Sequence, residues 1–333
     1  MSTPPRITLA VLAYNQSATI DTAVGSALGQ QCEPVEVLLS DDASPDDTFD
    51  KMQAAASVYT GPHQVVVRRN ARNLGIGEHY NEVMRAARGR LIVMMAGDDI
   101  STPDRVARTA AAWDASGERL DLIASHLHDM GHGGEDFGIL RVDDLADWKT
   151  LDDWARRRPY IVGASHAFTR RLFERFGPLG PQVAYEDQVN TLRALLMGDG
   201  GACTLDAPLV HYRRGGVSDR MRDFSGERFL QWTRRQNIKH LALHAQWLQD
   251  AAQAGCKAQV QAAIAKEYGH ELFWQSLLAA DTVRGRWQAV HAHPGLPLGW
   301  RLRKWAYLGL PGVAGRLRHW QSAWKHLRRG DAR

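Results

Sequence analysis

Two hydrophobic periods alternate along the first 125 residues, and few folds accommodate that alternation. Ile7–Ala13, Val35–Ser40, Val65–Arg68, Leu91–Ala96 and Leu120–Ser125 are apolar runs of strand length. Between them the spacing turns helical. Ser17 to Gln30 sets Ile20, Val24, Ala27 and Leu28 on one face. Ser44-Pro45-Asp46-Asp47 supplies an N-cap, a proline suited to the first helical position and first-turn acids. Glu78 to Ala87 reads as a helix ended by Gly89, and Thr102-Pro103-Asp104 opens another. Apolar strands alternating with helices predict an α/β fold with a parallel sheet covered on both faces. In such sheets ligands sit beyond the carboxyl ends of the strands.

Those ends are rich in acid. The second apolar run leads into Asp41-Asp42 and the fourth into Gly97-Asp98-Asp99. Carboxylates gathered at one sheet edge repel each other unless a cation joins them. A hard divalent ion, Mg²⁺ or Mn²⁺, shared with substrate phosphates fits oxygen ligands of this kind. Turn formation and helix capping are the plain structural uses of the same pairs. Other phosphate-binding designs are missing: there is no G-x-x-x-x-G-K-[ST], and Gly75-Ile76-Gly77 lacks the third glycine of the dinucleotide fingerprint.

Composition adds limits. With 44% hydrophobic and 23% charged residues, the chain has ordinary globular usage. No run of 18 apolar residues occurs, so no transmembrane helix is expected, and the first apolar stretch reads as a strand rather than a signal peptide. Cys32, Cys203 and Cys256 form neither a metal spacing nor a redox pair and fit a reducing, cytoplasmic setting. His126, His128, Asp129 and His132 fall close together among Gly131, Gly133 and Gly134, which reads as a solvated, flexible loop rather than a zinc site.

The ordered series Ala13-Tyr14-Asn15, Ser26-Ala27-Leu28, Glu36 through Ser44, Arg72-Asn73-Leu74-Gly75-Ile76-Gly77 with Asn81, and Ala86 through Asp99 resembles glycosyltransferase family 2. So does the later stretch Gly163-Ala164-Ser165-His166, Phe176-Gly177-Pro178-Leu179 and Tyr185-Glu186-Asp187. The resemblance covers roughly residues 5–215. It implies a GT-A fold, a nucleotide-binding α/β sandwich, and transfer of a sugar from a nucleotide-sugar to an acceptor hydroxyl with inversion, using Mg²⁺ or Mn²⁺.

By that resemblance Asp42 would accept the imide N–H of a uracil or thymine ring, which favours UDP- or dTDP-sugars, with Asp41 beside it. Ala13, Tyr14 and Asn15 would line the base and ribose pocket, and Arg72, Asn73, Gly75 and Asn81 would belong to the same donor site. Asp98 and Asp99 occupy the family's Asp-x-Asp element; one of them, Asp99 in the first instance, would bind the metal and the other the ribose. Ala96 or Gly97 stands where the commonest form has its first acid. His211 would be a further metal ligand or a plain strand-end residue, and Arg213 would reach the diphosphate. Asp187 is the expected base, with Glu186 as the second choice; capping the following helix is compatible with that role.

The other end of the chain differs. Residues 284–333 hold eleven Lys and Arg against the single acid Asp331, and five of the eleven tryptophans. Helical spacing continues over 225–290. Beyond it Arg301, Arg303, Lys304, Arg316, Arg318, Lys325, Arg328 and Arg329 interleave with Trp305, Trp320 and Trp324. Residues 300–329 therefore suit an anionic membrane surface, an ordinary amphipathic helix being the alternative, and no nucleic-acid motif accompanies the charge. The expected organisation is a GT-A unit over 1–220, divided near 125 into nucleotide and acceptor halves, followed by a helical extension over 221–333. The setting the resemblance implies is surface polysaccharide assembly, such as lipopolysaccharide or O-antigen. The acceptor would be a saccharide or a lipid-linked one, on the inner face of the cytoplasmic membrane. Two rivals stand beside it. A sugar nucleotidyltransferase needs a glycine-rich loop after the first strand, where Tyr14-Asn15-Gln16 stands; a non-catalytic scaffold would tolerate the missing first acid.

Overall fold

The computed structural model describes residues 5–198, 201–214 and 226–309. The first half alternates as the periodicity requires: β1 (Ile7–Ala13), α1 (Ile20–Leu28), β2 (Glu36–Asp41), α2 (Thr48–Ser57), β3 (Gln64–Arg69), α3 (Ile76–Ala86) and β4 (Leu91–Ala96). Then come β5 (Ile100–Ser101), α4 (Arg105–Ala115), β6 (Leu122–Met130), β7 (Asp136–Leu140), α5 (Leu151–Arg156), β8 (Ala167–Thr169), α6 (Arg170–Phe176), α7 (Glu186–Met197) and β9 (Ala202–Arg213). Helices α8 (Gly226–Gln253), α9 (Ala258–Ala279), α10 (Val283–Ala292) and α11 (Leu298–Gly309) complete the described chain.

One sheet runs in the order β3-β2-β1-β4-β8-β6-β9-β5, with β7 paired to β6. Its first four strands are parallel, with Ala13 opposite Asp41 and Leu12 opposite Ala96. Short β8 then lies antiparallel between β4 and β6, while β6 and β9 are parallel to each other. β1 and β2 are buried along their whole length, which is why they read as unbroken apolar runs. Ile20, Ala23, Val24 and Ala27 of α1 pack against the sheet core of Leu9, Val11, Val37, Leu39, Leu91 and Val93.

Three local expectations change. Ser44 does not cap a helix: its hydroxyl donates to Asp41, and α2 starts only at Thr48. Gly89 does not end α3 either. Ala87 stands at that end, and Gly89 instead lies against β1, where a Cβ would come within 2.4 Å of the Thr8 nitrogen. His126, His128 and Asp129 belong to strand β6 rather than to a loop, because Val142 and the long partner strand β9 hold them.

The chain divides into two compact units. The first comprises 1–218 and also takes 246–261 from the helical region; the second comprises 219–245 and 262–333. Within the first unit, Asp250 makes a fully buried ion pair with Arg193 at 2.7 Å, Gln246 accepts from the Gly180 nitrogen at 2.7 Å, and Trp247 meets Trp154 edge to face. Polarity alone assigns a helix like α8 to one body, so the sequence offered no sign of this return. The second unit has its own core of Phe273, Leu277, Leu278, Ala289, Val290 and Leu308. Trp300 and Trp305 pack against that core, Arg301 is buried and donates to the Val290 carbonyl, and Lys304 lies over Trp274 and Trp300. This part of the basic stretch is therefore packing material. Arg316, Arg318, Trp320, Trp324, Lys325, Arg328 and Arg329 lie outside the described residues.

Candidate active site

β1 is the strand from which the chain first builds to one side, through β2 and β3, and then returns to the other with β4. A crevice opens at such a reversal. The last residues of β1 hold both walls: Ala13 accepts from the Asp42 nitrogen and Leu12 from the Gly97 nitrogen, each at 2.9 Å. Asn15 turns between them with φ 55°, a left-handed conformation that asparagine tolerates, and its N–H donates to Ser44 Oγ at 2.9 Å. Tyr14 is exposed at the mouth.

The β2 wall is rigid. Asp41 is buried; its carboxylate accepts from the Ser44 nitrogen at 2.9 Å and from the Ser44 hydroxyl, and pairs with Arg69 Nε at 3.2 Å. That set leaves Asp41 engaged with Ser44 and Arg69. Asp42 accepts from Asn70 Nδ2 at 2.7 Å and from the Leu74 and Gly75 nitrogens at 2.9 Å. It thereby folds the Asn70–Gly75 loop over the crevice, and only Oδ2, which takes Gly75 alone, keeps capacity for another donor. Arg72 and Asn73 are exposed on this loop, and Gly75, at φ 77°, starts α3. Asn81 is likewise engaged within the protein. It is buried, and its amide pairs with both the Leu179 nitrogen (2.7 Å) and the Leu179 carbonyl (2.9 Å), so it tethers a distant loop.

The β4 wall is different. Asp99 is buried; Oδ1 accepts from the Arg213 nitrogen at 2.8 Å, and Oδ2 has no hydrogen-bond partner among the described residues. Burial, then the neighbouring charge of Asp98, pushes its pKa up to about 8. Asp98 is also raised, by burial. A buried carboxylate oxygen without a donor is costly, and a cation relieves it. Two carboxylates with an open lone pair match the needs of Mg²⁺ or Mn²⁺, which take one or two protein carboxylates and fill the rest with water and phosphate. These residues fit a divalent ion. His211 lies on β9. It pairs with Ile100 in the sheet, its ring stacks on His128 at 4.5 Å, and no three His, Cys, Asp or Glu side chains among the described residues converge to hold an ion alone. His126 faces Asp206 and Asp129 pairs with Arg214, so that histidine cluster has separate partners. Arg213 donates from Nε to the Asp98 carbonyl at 3.1 Å and from Nη1 to the His132 carbonyl at 2.8 Å, pinning the acidic turn. Gly97 has a steric cause: a Cβ there would stand 2.5 Å from Gln16 Oε1 and 2.8 Å from the Ala13 Cβ. No acid fits that position.

The third acid pair opens α7. Asp187 Oδ1 accepts from the Gln188 nitrogen at 2.7 Å. Burial raises Asp187 to about 6, against the opposing pull of backbone N–H groups of Gln188 and Gly163; burial and then the charge of Asp187 raise Glu186 to about 8. Gly163 lies against both: a Cβ there would be 3.0 Å from the Asp187 Cβ and 3.3 Å from Glu186 Oε1. Sequence reading gave no site role to Gly163, Gln16 or Arg105. For Arg105 there was a signal. It is the first residue of α4, where a cation opposes the helix dipole, so a need elsewhere must hold it there.

Residues 8–144 match the family model described as Glycosyl transferase family 2. They form a glycosyl transferase family 2 domain. Among curated relatives, the chain is 28% identical over 225 residues to succinoglycan biosynthesis protein ExoO of Rhizobium meliloti (strain 1021), covering 64% of this chain and 63% of that protein. It is 28% identical over 225 residues to the putative glycosyltransferase EpsH of Bacillus subtilis (strain 168), covering 63% and 61%. The chain thus spans somewhat less than two thirds of these relatives. The S. aureus TarS fragment 1–349, solved with UDP-GlcNAc, superposes with a TM-score of 0.52 at 16% identity, covering 98% of this chain and 92% of that one. The mannosyltransferase PcManGT from Pyrobaculum calidifontis, solved with GDP-Man and Mn²⁺, gives 0.53 at 17% identity over 95% and 87%. The family 2 domain and the strands that follow it thus have the GT-A fold.

Proposed function

We propose that this chain is an inverting glycosyltransferase that moves a sugar from a nucleotide-sugar to an acceptor hydroxyl. The observation that supports the reading is the contrast between Asp99 Oδ2, buried without a donor among the described residues, and Asp187, a raised carboxyl at a helix start. Asp187 takes the proton of the acceptor hydroxyl as that oxygen bonds to the anomeric carbon and the bond to the diphosphate breaks. A carboxyl whose pKa stands near the working pH is suited to that transfer. Backbone donors from Gln188 and Gly163 orient it. Asp98 and Asp99 would hold the divalent ion, which when bound supplies charge stabilisation for the departing diphosphate. Asp42 Oδ2 has capacity for the N–H of a pyrimidine, which favours UDP or dTDP. The acceptor, a saccharide or lipid-linked one, comes from surface polysaccharide assembly, lipopolysaccharide or O-antigen among the candidates. The naming of ExoO for succinoglycan biosynthesis supports that setting.

Thermal-shift screening with UDP-, dTDP- and GDP-sugars, with and without Mn²⁺, tests the donor site. Asp187→Asn should then lower turnover about 10³-fold while donor affinity holds within about threefold. Full turnover in that variant would sink the assignment of the base.

No helix among the described residues is long and apolar enough to cross a membrane. Contact with an anionic membrane face is proposed through α10 and the start of α11, where Val283, Trp287 and Leu298 are exposed beside exposed Arg284 and Arg303. Sedimentation with phosphatidylglycerol vesicles, weakened in Trp287→Ala, checks it.

A further inference from the structure

Arg105 is a buried cation that makes no direct ion pair among the described residues, and 1% of its surface is exposed. Its guanidinium is held by neutral groups from three segments. Nη1 donates to Ser101 Oγ at 3.0 Å; Nη2 donates to the Met94 carbonyl at 2.7 Å and to the Ala164 carbonyl at 3.0 Å. Met94 lies on β4, four residues before Asp98. Ser101 follows Asp99 by two. Ala164 is the middle of the 3-10 turn Gly163–Ser165, whose first residue packs on Asp187 and Glu186. One side chain therefore grips the acidic turn on both flanks and, with the same nitrogen, the segment that backs the acid pair of α7. Its positive charge acts on Asp99 from one side and on His166 from the other, where a fully buried imidazole has no hydrogen-bond partner among the described residues.

We propose that Arg105 is a positioning residue for sugar transfer: it fixes the span between the Asp98–Asp99 turn and the Gly163–Ser165 turn behind Asp187. It thereby sets the separation at which donor and acceptor hydroxyl meet. The inference rests on the function proposed above. Arginine suits the task because its planar fork reaches three acceptors in fixed directions, whereas lysine has a single nitrogen. A guanidinium here also keeps a positive charge near Asp99 without donating to Asp99 Oδ2.

The test compares the full chain with Arg105→Lys and, from the opposite end of the span, Gly163→Ala. The second keeps the buried charge but presses a methyl against Asp187. Stoichiometry and affinity for UDP with Mn²⁺ are measured by calorimetry, kcat and KM by transfer, and local opening by hydrogen exchange. Arg105→Lys should bind UDP and Mn²⁺ with full stoichiometry and within about threefold of wild-type affinity. It should lose about 100-fold in kcat, the scale of a misplacement near 1 Å. Exchange should rise together in the peptides around 94–99 and 163–166. Gly163→Ala should show the same split between kcat and binding. The inference is overturned if Arg105→Lys keeps wild-type kcat, or if its kcat falls only in step with binding stoichiometry, as loss of folded protein would produce. Should Arg105→Lys fail to fold, wild-type kcat in Gly163→Ala overturns it. Should the wild type bind UDP and Mn²⁺ yet transfer to no acceptor, the functional reading fails instead, and the paired exchange response alone decides the span: separate or absent responses refute it.

Discussion

Asp41–Asp42 and Asp98–Asp99 are alike in sequence and lie on either side of β1, but their surroundings are opposite. The first pair is saturated: five hydrogen bonds from Ser44, Asn70, Leu74 and Gly75, with Arg69 alongside, fix a loop and a turn. The second is starved at one member: Asp98 takes a hydrogen bond from Gln16, but Asp99 receives one backbone N–H and leaves an oxygen bare in the interior. An acid pair in a sequence says only that carboxylates are present. The donors that reach them decide whether they build structure or wait for a ligand.

Substitution should separate the two pairs most sharply. Asp99→Asn replaces a carboxyl whose charged form burial disfavours. We expect unchanged or raised thermal stability without metal, loss of Mn²⁺ binding by calorimetry, and turnover down at least about 100-fold, on the scale of losing one electrostatic stabiliser. Asp42→Asn should do the reverse to stability. Its carboxylate accepts three bonds, two from backbone, and an amide cannot accept as strongly at both oxygens, so urea unfolding should show a loss of about 1.5–3 kcal/mol. A similar stability change in both variants would break the contrast.

The Glu186–Asp187 pair shares the raised pKa of the second pair and adds a pH signature. Turnover should rise about tenfold per pH unit below about 6 and level off above it, since the base must be ionised. Stability should run the other way. Both groups are raised in the fold, so the folded state holds more protons than the unfolded one. That stabilisation is complete below the unfolded carboxyl pKa of about 4 and is lost as pH climbs through the folded values of about 6 and 8. Titrating unfolding free energy against pH in wild type and Glu186→Gln measures the slope, which the variant should flatten.

The smallest effect probes the saturated side. Ala43 has φ 58°, where a side chain is strained, and the bonds between Ser44 and Asp41 hold it there. Ala43→Gly should leave stability unchanged or raise it by no more than about 1 kcal/mol by denaturant titration. A clear loss would mean that the turn is not strained.

The first half of the fold was legible because strands covered on both faces must be apolar throughout; β1 and β4 match their predicted limits. β8, with three residues, and exposed β7, turned by Gly138 at φ 85°, carry no such pattern. In the site, the acids were legible by type and by position after strands. Their partners were not. Asn81 reaches Leu179 and Arg105 reaches Ala164 across the chain, and periodicity records only neighbours. The steric exclusion at Gly97 likewise depends on Ala13 and Gln16, far away along the chain.

The ion pair of Arg193 with Asp250 bears on any attempt to produce the first compact unit by itself. A fragment stopping near residue 220 keeps the arginine and discards its only carboxylate among the described residues, stranding a cation in the interior. Breaking a buried pair in that way costs about 3–5 kcal/mol, a large share of the 5–15 kcal/mol by which domains usually hold together. Expression designs should therefore retain the chain through the turn after α8, or replace Arg193 and Asp250 together with apolar residues of matching volume.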